Sequence, residues 1–348
     1  MISRHVLLAI VSAALLAACG GKGMQPTVPT QRAADSDAAS PALTASATTT
    51  VPFFQSSFTF GGKTFTYKMV GKSPALKSTV VIPTAIVPVK LIFSDGTTFD
   101  PAAVVSSLSA SPIFKNASFQ AGNTQYGDEQ MRSEFWSIVA NSNYHVLLGT
   151  PTVFPMVTER VPSTNGFTTT VNGVKQGRIT FNWFMNTIQP QLIQHFGIKA
   201  TTLTFFSNLN TRVLEPGSTT STFGGYHDSL HITTSSGAGI FGTIWGAMFS
   251  SNTRDVTHVG HEVAEWLNDP FYPSSPNIVP SWRLPFTGVC DGNRLEVGDP
   301  ATLKLFTING YTFEDMVFLS WFSRDVPSKA IHGQYDQLNL LSSPARSC

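Results

Sequence analysis

Apolar and polar positions change rhythm along this chain. Val6 to Leu16 is almost continuously apolar, Gly20 to about Val51 has no apolar period, and from Pro52 strand-like alternation and helix-like spacing take turns. Phe58-Thr59-Phe60-Gly61-Gly62-Lys63-Thr64-Phe65-Thr66-Tyr67 alternates about a Gly-Gly pair, which predicts a hairpin. Val80 to Phe93 is β-branched and apolar, and Pro83 and Pro88 break it or confine it to an edge. Asp128 to Ala140 spaces Met131, Phe135 and Ile138 as the inner face of a helix. Strands are expected at 146–148 and 152–157, and a second hairpin over 168–174. Asn186 is expected to cap another helix that runs to Phe196 and stops at Gly197. Strands at 203–206 and 240–249 then lead into a helix over about 254–267, closed by Asn268-Asp269-Pro270. The expected fold is α+β and strand-rich. One globular unit, 52–348, would have a β-rich part (52–200) and a part carrying the chemistry (201–348).

The helix before that turn is the informative one. His258, His261, Glu262 and Glu265 fall within an arc of about 100° at helical spacing. Val256, Val259, Val263, Trp266 and Leu267 fall on the other side. Imidazoles and carboxylates gathered on one stripe invite a metal. The plain alternative is an amphipathic helix with a solvated polar face, its His–Glu pairs worth a few tenths of a kcal/mol.

His261-Glu262-Val263-Ala264-Glu265 resembles the zincin HExxH motif with glutamate in place of the second histidine. The resemblance implies His261 as first ligand, Glu262 as general base and Glu265 as second ligand. Zinc accepts carboxylate oxygen at about 2.0–2.2 Å, so Glu265 is chemically suitable. A strand feeding directly into this helix is likewise similar to the zincin arrangement. His258 is open to three roles: ligand, donor behind a ligand, or substrate contact. The third ligand is sought in Cys290-Asp291-Gly292-Asn293-Arg294-Leu295-Glu296-Val297-Gly298-Asp299, dense in oxygen donors. Glu296 lies at a gluzincin-like separation, with Asp299 and Asp291 as runners-up. Asp291, Asn293 and Glu296 could instead hold calcium, although the full EF-hand spacing is missing. Upstream, His227 and His231 add imidazoles, or are simply hydrogen-bonded strand histidines. Trp245, Trp266 and Trp282 suit core or cleft walls. No Gly-x-Ser-x-Gly elbow or phosphate-cradling glycine loop occurs.

The order of 261–270, Val279-Pro280-Ser281-Trp282 and Leu295-Glu296-Val297-Gly298-Asp299-Pro300 resembles a group of exported bacterial proteins. More distantly it is similar to the plant phosphate-induced/EXORDIUM cell-wall proteins. The likeness covers about 225–345 and implies a surface setting and a zincin-like site.

The ends and composition place this chemistry. Arg4 and the apolar run resemble a signal peptide over 1–18, too short to span a bilayer. Leu16-Ala17-Ala18-Cys19 resembles a bacterial lipobox, so Cys19 is the expected lipidation site, anchoring the chain in a bilayer. Gly20-Gly21 carries no aspartate, which by resemblance to Gram-negative lipoproteins favours the outer membrane. Residues 19–51, rich in Ala, Ser, Thr and Pro, read as a disordered tether. Loss of Arg4 with the leader leaves 21 basic against 21 acidic side chains, and no basic patch suggests nucleic acid. In an oxidising envelope Cys290 and Cys348 can pair, closing a loop worth about 4 kcal/mol. The expected protein is an envelope lipoprotein with a metal-dependent hydrolase acting on a peptide or cell-wall substrate. The competing reading is a non-catalytic surface lipoprotein that binds a wall component or partner, with at most a structural metal. The sequence leaves the oligomeric state open.

Overall fold

Thr84–Ile92, nearly all buried, is the central strand of a seven-stranded sheet in the computed structural model, which describes residues 49–234 and 237–348. Leu203–Ser207 runs parallel on one flank, and the short Thr152–Val153 and Val157–Arg160 run parallel on the other. Beyond Leu203–Ser207 lies the parallel strand Gly237–Gly246, then Gly225–Thr234 as an antiparallel edge. The central strands are apolar throughout because both of their faces are covered. Successive residues divide between the two layers, so that Ile86 and Phe205 face one core while Val87 and Phe206 face the other. One layer is filled by the helical run Phe181–His195 through Phe184, Ile188 and Leu192. The other is filled by the helix Thr257–Asn268 through Val259, Val263 and Trp266. A second sheet joins Gly166–Val171, Val174–Thr180, Thr211–Leu214 and Thr222–Phe223.

The chain is α+β, with strand at 40% against helix at 21%, in line with the expected class. The two hairpins form as the turn residues require. Gly61 and Gly62 have φ of 55° and 75°, and Asn172 and Gly173 have 49° and 78°. Such positive pairs match the twist of two-residue hairpins. Other expectations are corrected. Pro83 does end a strand, but Pro88 lies inside the central strand and not on an edge. Partners on its outer flank change there, from Ala85 and Ile86 with one short strand to Val89–Ile92 with the next. The 128–140 helix is two pieces, Tyr126–Glu134 and Trp136–Val139, broken at Phe135. Met131 and Phe135 are buried, but Ile138 is 45% exposed and Val139 takes the inner place. Asn186 is no cap: the helical run begins after Thr180 and passes through it.

Domain boundaries also shift. Val51 is buried and Ile240 N–H donates to Thr49 O, so the last tether residues already belong to the fold. The 52–200 and 201–348 parts share one sheet, because Thr84–Ile92 pairs with Leu203–Ser207. The signal peptide, Cys19 and the tether up to residue 48 lie outside the described residues. Among the described residues no helix is long and apolar enough to cross a membrane.

Candidate metal centre

Two elements converge to build the site. The edge strand Gly225–Thr234 alternates faces, so Tyr226 stacks on Trp245 in one layer while His227 points to the other. That second face is covered by the helix Thr257–Asn268, whose first turn is held by Asp255 Oδ1 accepting Thr257 N–H at 3.1 Å. Val256, Val259, Val263, Trp266 and Leu267 are fully packed, as the apolar stripe predicts. The polar stripe is not solvated. Glu262 is 5% and Glu265 4% exposed, which removes the reading of an ordinary surface face.

Glu265 is the hub. Its Oε1 lies 3.1 Å from His261 Nε2, and its Oε2 lies 3.6 Å from His227 Nδ1. Asp299 Oδ1 stands 3.7 Å from His261 Nε2, and Glu262 Oε2 is 3.2 Å from His227 Nδ1. Two groups with metal-ligand spacing result, His261–Glu265–Asp299 and His227–Glu262–Glu265. The other nitrogen of His261, Nδ1, is 2.7 Å from Glu314 Oε2. Gly298 N–H donates to Glu265 Oε1 at 3.1 Å, tying the downstream loop to the helix.

Three glycines give these side chains room. A Cβ at Gly224 would stand 2.5 Å from the His258 ring, one at Gly225 2.6 Å from Glu262 Oε1, and one at Gly298 2.4 Å from the His261 ring. The backbone itself therefore forms part of the wall around the helix.

The electrostatics follow from burial and crowding. Burial disfavours the charged His261 ring, but Glu265 and Glu314 outweigh it and its pKa is raised well above the usual value. His227 is raised against burial by Glu262 and Glu265. Glu262 is raised, by burial first and with Glu265 adding to it, whereas Glu265 is lowered because His261 and His227 outweigh its burial. Glu296 and Asp299 are raised well above the carboxylate range, by burial and then by Glu265. Burial, with Glu265 contributing, also lifts Asp269 to about 7. The cluster holds more acid than its histidines neutralise, so burial and crowding there favour the uptake of protons or of a cation.

The sequence-derived residues divide. His261, Glu262, Glu265 and His227 meet. Asp299, a runner-up, joins the His261 group, whereas Glu296 sits among Glu265, Asp269 and Asp299 without entering either histidine-centred group. Asp291 is close enough for Glu265 to raise its pKa, burial being the larger cause. His231 is exposed, with Nε2 3.1 Å from Ser274 Oγ, away from the centre. His258 turns to Arg212, its Nε2 3.3 Å from Nη2, and burial with the Arg212 charge pushes its pKa down to about 3. It faces a cation, so a ligand role is disfavoured. Cys290 and Cys348 are free, exposed thiols in this structure. They lie close enough for Cys290 to help burial raise the Cys348 pKa, so their pairing stays a proposal.

Glu314 was not legible as a participant. It ends the strand Tyr311–Glu314, and its other oxygen accepts Leu303 N–H. The available signal was an acidic pair, Glu314-Asp315, set between Phe313 and Met316-Val317-Phe318, where a buried charge needs a partner. Comparison with protein-family models, with curated proteins and with solved structures gave no match.

Proposed function

We propose that this chain is a metal-dependent hydrolase of peptide or amide bonds, held at the outer membrane through lipid on Cys19. The observation that carries this reading is Glu265, one buried carboxylate whose two oxygens face two histidines, His227 buried and His261 half-buried, beneath a sheet edge. His261, Glu265 and Asp299 would hold the cation. One imidazole with two carboxylates suits zinc, and a hard ion such as calcium would favour the carboxylates. Glu314 behind His261 supports the fit, since a carboxylate on Nδ1–H turns Nε2 outward as a ligand. A divalent cation bound there supplies Lewis acidity for a carbonyl oxygen and for water.

The remaining work falls to the chain. Glu262 is placed to take a proton from water and return it to the leaving amine, while His227 orients its carboxylate. Among the described residues the edge strand pairs with only one strand; Ser229 N–H on its outer side donates to Tyr272 O at 2.9 Å, so an extended peptide could lie in the zincin manner only along the remainder of that side. The resemblance of the 261–300 motif order to exported bacterial and EXORDIUM-like proteins, a reading of the sequence alone, is what suggests an envelope setting.

A second reading rests on the His227–Glu262–Glu265 group. Glu265 could bridge two cations, in which case Glu262 is a ligand rather than a base. One experiment separates these readings: elemental analysis and peptide hydrolysis on secreted Cys19→Ser protein. The expected result is one cation per chain, lost in His261→Ala and kept in Glu262→Gln, with hydrolysis lost in both. Two cations per chain would favour the bridged site. A bound cation without hydrolysis would leave a structural metal in a binding lipoprotein, and no cation at all would remove the centre.

A further inference from the structure

The edge strand Gly225–Thr234 meets different surroundings on the two sides of His227. In its antiparallel pairing with Gly237–Gly246, alternate residues turn their backbone N–H and C=O outward, and Gly225, His227 and Ser229 belong to that set. Beyond His227 the outer side is sealed by residues 271–274, which follow the helix Thr257–Asn268. Tyr272 O accepts Ser229 N–H at 2.9 Å, while Ser274 Oγ lies 3.0 Å from Ser229 Oγ and 3.1 Å from His231 Nε2. The seal is itself braced. Ser274 Oγ donates to Phe271 O at 3.0 Å, and Phe271 packs edge-on against Phe53 with ring centroids 4.9 Å apart. Tyr272 sets its ring 5.2 Å from the His227 ring, and its Oη accepts from Arg294 Nη1 at 2.7 Å. On the other side of His227 the strand starts at glycines, and a Cβ at Gly225 would stand 2.6 Å from Glu262 Oε1. Among the described residues no backbone group outside the sheet bonds to Gly225 or His227.

The cleft is therefore closed at one end and open at the other. His227 marks the reacting position, because its Nδ1 lies 3.2 Å from Glu262 Oε2 and 3.6 Å from Glu265 Oε2. Ser229 is two residues further on, about 7 Å along an extended strand. One extended peptide residue spans about 3.3–3.6 Å, so one or two residues fill the closed end. The charges that reach Tyr272 there are those of Glu296, Arg294 and Glu265. Arg294 is engaged by the Tyr272 hydroxyl, and Glu265 by its two histidines. Glu296 is half-buried and forms no ion pair among the described residues, which leaves it for an incoming cation. The cation that an unblocked peptide carries at its end is the α-ammonium. A peptide entering by that end runs antiparallel to Gly225–Thr234, the commoner pairing. We infer that residues 271–274 receive the free N-terminus of a peptide, so that hydrolysis releases one or two N-terminal residues. The hydroxyl of water joins the carbonyl carbon, the C–N bond breaks, and Glu262 passes the remaining proton to the leaving amine. This rests on the hydrolase reading and narrows its substrate class to peptides with an unblocked N-terminus.

Product mapping and binding test the two readings separately. Secreted Cys19→Ser protein with zinc would be given a hexapeptide of mixed sequence with both ends free, with an acetylated N-terminus, or with a C-terminal amide. The free and amidated forms should be cleaved at similar rates, with kcat/KM about tenfold or more above the acetylated form. Product masses should show loss of one or two residues from the N-terminus. Tyr272→Ala should open the closed end, so that the acetylated peptide is cut at internal bonds, whereas Tyr272→Phe should keep the end preference. Glu296→Gln should cut the preference for a free N-terminus to within about threefold while zinc stays bound. Equal rates on free and acetylated peptides, products lost from the C-terminus, or full preference kept in both Tyr272→Ala and Glu296→Gln would each overturn the proposal. Calorimetry on zinc-loaded Glu262→Gln protein reads the closed end without turnover, and the free peptide should bind about tenfold or more tighter than the acetylated one. That selectivity in a protein that hydrolyses none of the peptides would keep the closed end and discard the hydrolase. Neither selectivity nor hydrolysis would discard both.

Discussion

The helices Tyr126–Glu134 and Thr257–Asn268 pack against each other at Gly127, where a Cβ would come within 2.6 Å of Leu267 Cδ1, and both bury acids. In Tyr126–Glu134 two of the three acids meet donors, while the third, Glu134, is buried with neither carboxylate oxygen hydrogen-bonded. Asp128 accepts from Val146 N–H at 2.6 Å and Thr124 Oγ1 at 2.5 Å, and lies 2.7 Å from His145 Nδ1. Glu129 accepts from Ala121 N–H and Ser133 Oγ. In Thr257–Asn268 the acids instead meet one another across shared histidines. A buried carboxylate facing N–H and hydroxyl donors has part of its burial offset, whereas carboxylates facing carboxylates need protons or a cation. Burial alone does not mark a functional acid; the company it keeps does.

The largest expected contrast is in turnover. Glu265→Gln should lose the cation and reduce peptide hydrolysis by a factor on the order of 10³ or more, while Glu129→Gln should leave kcat/KM within about threefold. Equal losses would dissolve the distinction between the helices. The next contrast is in stability. Asp128→Ala orphans Val146 N–H and the Thr124 hydroxyl, and should cost about 2–4 kcal/mol by urea unfolding. Metal stoichiometry of the fraction that stays folded should be unchanged.

Glu314→Gln should weaken metal affinity by about 10–100-fold without abolishing binding, as competition with a chelator would show. An unaltered affinity would mean that Glu314 serves only the Leu303 turn.

The smallest effect is a slope with pH. Glu129 and Asp269 are raised to about 7, Asp228 to about 6 and Asp315 to about 9, burial being the first cause in each. A raised carboxyl binds its proton more tightly folded than unfolded, so stability is fully present below about pH 4 and is lost as pH rises toward each folded value. His227 and His261, also raised, act in the same direction. The metal-free melting temperature should therefore fall between pH 5.5 and 8.5. Metal binding strengthens as protons leave, so the loaded protein should keep mainly the slope due to Glu129 and Asp315. An identical slope in both forms would count against a cation at the centre.

Local order was the readable part of this sequence. The 3.6-residue period carries the helix near 254–267 and both of its stripes, and Gly61-Gly62 and Asn172-Gly173 carry their hairpins by the φ they tolerate. What failed was long-range or marginal. Pro88 reads as an edge residue until two short strands are seen to change places beside it. Asn186 reads as a cap because nothing local shows helix already formed before it. The choice of Asp299 over Glu296 in the His261 group depends on how one loop returns over the helix, three residues apart in sequence. Glu314 and Arg212 come from strands that only the tertiary fold brings near the helix.

The glycines at 224, 225 and 298 have a practical consequence. Each sets bare backbone against a different ring or carboxylate, so one methyl group at a time presses first on one side chain without changing any donor or acceptor, with Trp245 O at 3.0 Å as a second contact at Gly225. Gly298→Ala presses on His261, Gly225→Ala on Glu262 and Gly224→Ala on His258. Three nearly isosteric variants would thus sort cation holding, proton transfer and the His258–Arg212 contact into separate experiments.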